Sequence, residues 1–351
     1  MTLNPDFRSA DDVYVPDIKN MCGWGYRAEN ESTRLLREKR KFEKIQRDLP
    51  KAFETREAKS MSPEMLKKWN DFQSSKGRGK DSFDWSLLDE FVTGKPLVWL
   101  PQIIGSCVAS NTFRPYCTRQ MYEIVLQGQP EEYMGRNEFG PQNFGFYAPF
   151  SYGMARKRAD MRGGDGLYCA PMVETMVKDG VLSCNVPELF ELTRKLKVND
   201  DRDFPEPQSA AIYRQFGDHK HIDKLAPYAD YRIVEAPMVT NVDQFIDLLK
   251  AGKPMFVCSM EAIHKVGTHA DGFPIHKRNP RDQWAHNMSF QGGFYASDGN
   301  LYIRESNESW GANAIYNRPI EDIADSFKAN RLTIAAIGEI ESAKSAAPLA
   351  G

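Results

Sequence analysis

The chain has 351 residues, which at about 100–200 residues per domain allows one large or two ordinary domains. Its 46 Lys and Arg against 48 Asp and Glu give a formal net charge of −2, a balance that does not favour nucleic acid or an acidic membrane surface as partner. No run of about 18 apolar residues occurs, and the first residues lack the basic and apolar regions of a signal peptide. We therefore expect no nucleic-acid partner, no membrane span, no signal peptide and an intracellular or particle-associated location.

The cysteines and histidines show no metal-binding pattern. None of the 6 cysteines has C-x-x-C spacing, which predicts free thiols in a reducing compartment and no disulfide. The pairs His219/His221 and His264/His269 lack carboxylate or cysteine partners at ligand spacing. We expect neither a metal nor any other cofactor.

Residues 1–80 are polar and charge-dense and form a helical N-terminal extension. One predicted helix runs from Ser32 to Leu49, and another starts with Ser62 as N-cap and Pro63 at its first position. Their apolar stripes are too thin for a core of their own, so these helices should lie on something else. The extension is either a docking arm for assembly or an inhibitory prosegment, and the linker that ends it runs from Ser74 to Ser82.

Residues 81–340 should form the compact domain, with helices first and strands last. A capping box starts a helix at Asn241, and two strands, His286 to Tyr295 and Leu301 to Arg304, form a hairpin. Pro115 should bend the helix that follows Cys107 or divide it in two. The small, polar residues 341–351 are predicted to be a flexible tail.

One cysteine is presented at the start of a helix by the stretch Gln102-Ile-Ile-Gly-Ser-Cys107. Gly105 allows a tight turn and Ser106 is a good N-cap residue. Cys107 then lies at the positive end of a helix, where the pKa of a cysteine can fall to roughly 3.5–7.5. This position favours the thiolate.

Nucleophilic cysteine catalysis needs a thiolate, a base, a group that orients the base, and donors for the oxyanion. Folding the helical half onto the strand half would bring a candidate for each together. The candidates are, in that order, Cys107, His286, Asn307 or Glu308, and Gln102.

At these residues the chain resembles the papain-like cysteine peptidases. The run Gln102 to Cys107, the run His286-Asn-Met-Ser-Phe-Gln-Gly-Gly-Phe and the run Asn307-Glu-Ser-Trp-Gly311 are similar to the glutamine/cysteine, histidine and asparagine blocks of that family. Gly164-Asp-Gly166 resembles its substrate-binding glycine loop. The resemblance covers about residues 83–338.

The departures from the family pattern make this chain a remote member. Gln102 precedes Cys107 by five positions, one fewer than in the family, and the asparagine block carries one extra residue. Asn307 therefore matches the orienting asparagine by type, and Glu308 matches it by distance to Ser-Trp-Gly. We favour Asn307, because residue type sets the hydrogen-bond geometry and a loop absorbs one residue easily.

The resemblance implies an α+β, papain-like fold in which a helical half packs on an antiparallel β half. It also implies a cysteine peptidase or amide hydrolase acting on a peptide or protein, with Gly164 and Gly166 at the substrate. The alternative is a structural or assembly protein, such as a virion component, in which a degenerate papain-like domain is a scaffold.

Overall fold

The computed structural model describes residues 61–94, 105–128, 145–183, 186, 189, 191, 210–229, 231–282, 286–307 and 315–342. The predicted helix from Ser32 to Leu49 and residues 343–351 of the predicted tail lie outside them. The described residues include no helix long and apolar enough to cross a membrane.

Helices occupy mainly the first part of the chain. The α-helices are α1 (Pro63–Ser75), α2 (Leu88–Thr93), α3 (Cys107–Met121), α4 (Ala148–Arg158), α5 (Cys169–Glu174), α6 (Ala210–Gly217), α7 (Ile222–Leu225), α8 (Val242–Lys250) and α9 (Ile320–Lys328). Short π-helical segments extend α3 (Tyr122–Leu126) and α5 (Thr175–Asp179), and 3-10 turns form at Trp85–Leu87 and Ala226–Tyr228.

Strands occupy mainly the second part. They are β1 (Phe83–Asp84), β2 (Tyr231–Ile233), β3 (Met238–Val239), β4 (Met255–Ser259), β5 (Ala262–Thr268), β6 (Pro274–Asn279), β7 (His286–Tyr295), β8 (Leu301–Ser306), β9 (Ile315–Pro319), β10 (Leu332–Ala336) and β11 (Ile340–Ser342). A 7-stranded sheet has the order β3-β10-β4-β7-β8-β9, with β1 also paired to β7. Every pairing is antiparallel, so the predicted α+β class is confirmed.

Two helix starts follow from their capping residues. The Ser62 hydroxyl accepts a hydrogen bond from the Met65 backbone N–H at 3.1 Å. The Asn241 side chain accepts from the Gln244 N–H at 2.9 Å, and the Gln244 side chain accepts from the Thr240 N–H at 2.9 Å. These bonds satisfy N–H groups that the first turn of a helix leaves without partners, so both predicted starts are confirmed.

Helix α3 runs as one element through Pro115, so of the two expected outcomes, a bent helix or two helices, the division into two is wrong. A proline removes one backbone hydrogen bond and costs about 3 kcal/mol in an isolated helix. Nearly every residue of α3 is buried here, and burial on all sides outweighs this local cost. One unbroken helix therefore spans about 22 Å from Cys107 to Met121.

Helix α1 packs against the body at the far end of α3 from Cys107. The Trp69 ring stacks on the Trp85 ring at 5.4 Å, and the Trp85 ring contacts the Tyr122 ring edge-on at 5.0 Å. The Gln73 side chain accepts from the Asp84 N–H and donates to the Ser82 carbonyl. Residues 62–82 are thus held at the body, while the domain boundary at residue 81 stays a prediction.

The cysteine pairing differs from the sequence-based expectation. A disulfide joins Cys169 at the start of α5 to Cys258 in β4, across 89 positions of sequence. The prediction of thiols throughout is therefore wrong for these two residues, because cysteines far apart in sequence can meet where a helix packs on a sheet. The bridge ties the helical part to the sheet.

Loss of this disulfide should destabilise the fold. In the chain-entropy model, closing a loop of about 90 residues stabilises a protein by about 4.6 kcal/mol through the unfolded state. We predict a loss of this size for Cys169→Ser, for Cys258→Ser and for the double variant in denaturant unfolding.

The three losses should be equal, because either single substitution already removes the whole bridge. Additive losses of stability would show that no bridge forms in solution. Alkylation of both Cys169 and Cys258 in the unreduced protein would show the same.

Candidate active site

Cys107 is the first residue of α3, with Ser106 at the N-cap position. The Ser106 side chain makes no capping hydrogen bond, so backbone N–H groups of the first turn still point towards the helix start. The positive end of the helix dipole favours a negatively charged group there. Cys107 is only 4% exposed, and its location suits a thiolate.

His286 opens strand β7 and lies between Cys107 and Asn307. Its Nε2 atom is 2.9 Å from Oδ1 of Asn307, and its side chain also hydrogen-bonds Cys107. Because an amide oxygen only accepts, Nε2 carries a proton and Nδ1 is the nitrogen that remains for the sulfur. The three side chains therefore form a Cys–His–Asn chain.

The surroundings of His286 favour its protonated form. Burial alone lowers the pKa of His286, but the charge of Cys107, hydrogen bonds with Cys107 and Asn307, and the charge of Glu305 together raise it above its ordinary value. A raised histidine pKa beside a cysteine is the electrostatic condition for a thiolate–imidazolium pair.

A buried chain of polar side chains fixes the cysteine-bearing helix to the two strands. The Thr118 hydroxyl donates to the Gln291 side chain at 2.8 Å, and Gln291 donates to the Ser289 hydroxyl at 2.8 Å. The hydroxyls of Ser289 and Ser306 are 2.8 Å apart, and Ser306 precedes Asn307. These links join α3, β7 and β8, and so hold Cys107, His286 and Asn307 in one geometry.

The glycine loop before α5 is held in shape by a buried arginine. The Arg156 guanidinium donates to the Gly163 carbonyl at 2.7 Å and to the Gly166 carbonyl at 2.5 Å. Gly163, Gly164 and Gly166 all have positive φ, at 66°, 63° and 104°, a conformation that favours glycine. Gly164 and Gly166 thus lie in a rigid loop, and their contact with a substrate stays a prediction.

The end of this loop meets strand β7 beside His286. Cys169 follows the loop, and the Asn287 side chain donates to its sulfur at 3.5 Å and to the Val257 carbonyl at 3.1 Å. The disulfide therefore reaches to within one residue of His286. Sequence reasoning missed it, because the spacing of the cysteines gives no signal for it.

The structure brings Cys107, His286 and Asn307 together, and their catalytic roles stay predictions. Gln102 and Glu308 lie outside the described residues, so their roles stay predictions. Sequence reasoning also missed Glu305. In the sequence it is only an acidic residue in a strand, two positions before Asn307. Across the described part of the chain, no group of three His, Cys, Asp or Glu could hold a metal ion.

No protein-family model matches the chain, and no curated protein matches it. Similar solved structures include xylellain, a cysteine protease from Xylella fastidiosa, with 18% identity and a TM-score of 0.44 over 71% of this chain and 85% of that one. Another is proCathepsin B S9 from Trypanosoma congolense, with 15% identity and a TM-score of 0.43 over 82% and 86%. A third is the Amb a 11 cysteine protease of ragweed pollen in its proform, with 12% identity and a TM-score of 0.36 over 89% of each chain. These are papain-like cysteine proteases, the family that the sequence motifs resemble.

Proposed function

We propose that this protein is a papain-like cysteine peptidase or amide hydrolase that acts on a peptide or protein substrate. The observation that carries the proposal is the Cys107–His286–Asn307 chain, with 2.9 Å between His286 Nε2 and Asn307 Oδ1. Ser, His and Asp in the same geometric arrangement perform acyl transfer on unrelated folds. The arrangement of the three groups therefore indicates the chemistry.

In the proposed reaction, the Cys107 thiolate attacks the substrate carbonyl carbon and forms a tetrahedral oxyanion. The backbone N–H of Cys107 and the Gln102 side chain donate hydrogen bonds to that oxyanion. The His286 imidazolium gives its proton to the departing amine, and the acyl group stays on the sulfur. His286 then removes a proton from water, which attacks the thioester and restores the thiolate.

A second candidate function is a structural or assembly role, and the burial of the site favours it. Cys107 is 4% exposed and His286 is 3% exposed, so little of either residue is open to a substrate. In this alternative the domain is a scaffold within a larger particle, and residues 1–80 dock it there.

The nucleophile is tested by Cys107→Ala. We expect hydrolysis of a peptide library to fall about 10⁴-fold, because the attacking group is removed. The melting temperature should change little. The matched control is Cys117→Ala, which removes a second buried thiol of the same helix that is also outside the disulfide; it should keep full activity. Equal activity of the two variants would contradict the assignment.

The orienting residue is tested by comparing Asn307→Ala with Glu308→Ala. Loss of the amide that holds the imidazole should lower kcat by about 10- to 100-fold and leave KM nearly unchanged, since substrate binding is not touched. Glu308→Ala should have no measurable effect. If only Glu308→Ala lowers kcat, the choice of Asn307 is wrong.

The role of the extension is tested by deleting residues 1–60 and keeping α1. We propose that this part is an assembly arm, since α1 and Trp85 lie at the opposite end of α3 from Cys107. The chain 61–351 should then hydrolyse peptides as fast as the full chain but fail to assemble. Faster hydrolysis would identify an inhibitory prosegment instead.

A matched deletion leaves residues 81–351. It also removes Trp69, which is 1% exposed and stacks on Trp85. The loss of a buried tryptophan costs about 3–5 kcal/mol, so this chain should unfold at lower temperature than 61–351. Thermal unfolding of the two chains separates the structural effect of α1 from any effect of residues 1–60.

A further inference from the structure

A cluster of buried charges lies behind the Cys–His–Asn chain. Arg318 is fully buried, and its guanidinium contacts Glu305 at 2.9 Å, Glu261 at 3.1 Å and Asp322 at 2.6 Å. It also donates to the Ser326 hydroxyl at 2.9 Å. These groups come from different parts of the fold: Glu305 from β8, Asp322 and Ser326 from α9, and Glu261 from the connection after β4. Arg318 of β9 therefore joins all of them.

The cluster is directly connected to the proposed catalytic histidine through strand β8. Glu305 and Asn307 are two residues apart, so their side chains lie on the same side of the extended chain. In the β8–β9 pairing Glu305 lies opposite Tyr316, and the Tyr316 hydroxyl lies near the Asn307 side chain. Glu305 therefore lies on the same side of the strand as Asn307, the residue that hydrogen-bonds His286.

The formal charges of the cluster do not cancel. Glu261, Glu305 and Asp322 contribute three negative charges, and Arg318 and Arg278 contribute two positive charges, with Arg278 Nε 3.7 Å from Glu261. One oxygen of Glu305 and one of Glu261 are buried without a hydrogen-bond partner in the described part of the chain. The three carboxylates thus exceed the two guanidinium groups by one formal negative charge, which would favour a protonated His286.

We propose that Glu305 is a positioning residue for the active site: its carboxylate, held by Arg318, stabilises the imidazolium form of His286. The inference rests on the proposed function, because it assigns a partner to the same catalytic pair. It goes beyond that function by assigning to the buried cluster around Arg318 an effect on the protonation of His286.

The ionisation of Glu305 supports this assignment. Burial raises the pKa of Glu305 to about 7, although attraction to and a hydrogen bond from Arg318 oppose the rise. Its charge in turn raises the pKa of His286. The charge of Glu305 therefore affects the protonation of His286, and the two groups interact electrostatically.

Other charged and titratable groups surround Glu305 and His286. Cys107 faces His286 from α3, and Arg278 and His276 approach from β6, where the His276 ring lies 5.1 Å from the Tyr316 ring. The remaining groups are Glu261 after β4, Tyr316 and Arg318 in β9, and Asp322 in α9. Of these three carboxylates, Glu305 is the one nearest to Asn307 in sequence, two positions before it.

The test is an NMR titration of the His286 ring in the full chain, which needs no substrate. Glu305→Gln should lower the pKa of His286 by about one pH unit, because a nearby buried charge is lost. The matched control is Glu261→Gln, since Glu261 is equally buried and binds the same Arg318; it should leave the His286 titration unchanged. Glu305→Asp, which keeps the charge, should restore most of the shift.

Equal His286 titrations in the two Gln variants, with equal losses in melting temperature, would overturn the inference and leave Glu305 as a structural partner of Arg318. That outcome would not affect the proposed function, which is tested by hydrolysis. If Glu305→Gln does not fold, the Glu305 carboxyl carbon is titrated in the wild-type chain. Ionisation of Glu305 without any response of the His286 ring would then overturn the inference.

Discussion

The antiparallel pairing of β7 with β8 is the constraint on which the candidate site depends. It places the first residue of β7, His286, beside the end of β8, where Asn307 follows. A slip of one residue in this register would turn one of the two side chains to the other face of the sheet. Strand β7 also pairs with β1 at Gly292, where φ is 133° and a Cβ atom would lie 2.1 Å from the Phe83 carbonyl oxygen. Only glycine allows β1 to approach this closely.

The second requirement is that a helix start meets this pair of strands. Helix α3 lies on β7 and is held there by the hydrogen-bond chain from Thr118 to Ser306. Its dipole favours the thiolate of Cys107, and the excess negative charge near Arg318 favours the imidazolium of His286. Buried ionic groups cost several kcal/mol in lost hydration and are often replaceable by apolar residues. The cluster around Arg318 is therefore better explained by its effect on His286 than by stability.

Much of this arrangement could be predicted from local signals in the sequence. Capping residues marked the starts of α1 and α8, and alternation with a turn marked the β7–β8 hairpin. The residue types of Cys107, His286 and Asn307 indicated a common chemistry before any contact was known. Their meeting could be expected only because the order of the blocks resembles a known family.

What could not be predicted depends on contacts between distant segments. The continuity of α3 through Pro115 follows from burial on all sides. This burial depends on the rest of the fold and cannot be inferred from the sequence of the helix alone. The Cys169–Cys258 bridge requires α5 to pack on β4, and the Glu305–Arg318 contact requires β8 and β9 to pair in one register. A single acidic residue in a strand otherwise reads as a solvent-facing position, so Glu305 gave no clear sign of burial.

The measurement that tests the central claim most directly is the rate at which iodoacetamide alkylates Cys107 near pH 6, in the wild-type chain and in His286→Ala. Iodoacetamide reacts with the thiolate, and at this pH an unperturbed cysteine with a pKa of about 8.5 is almost fully protonated. If Cys107 and His286 form an ion pair, wild-type Cys107 reacts much faster than Cys117, and His286→Ala removes most of this advantage. Equal rates for Cys107 in the two chains would contradict the account.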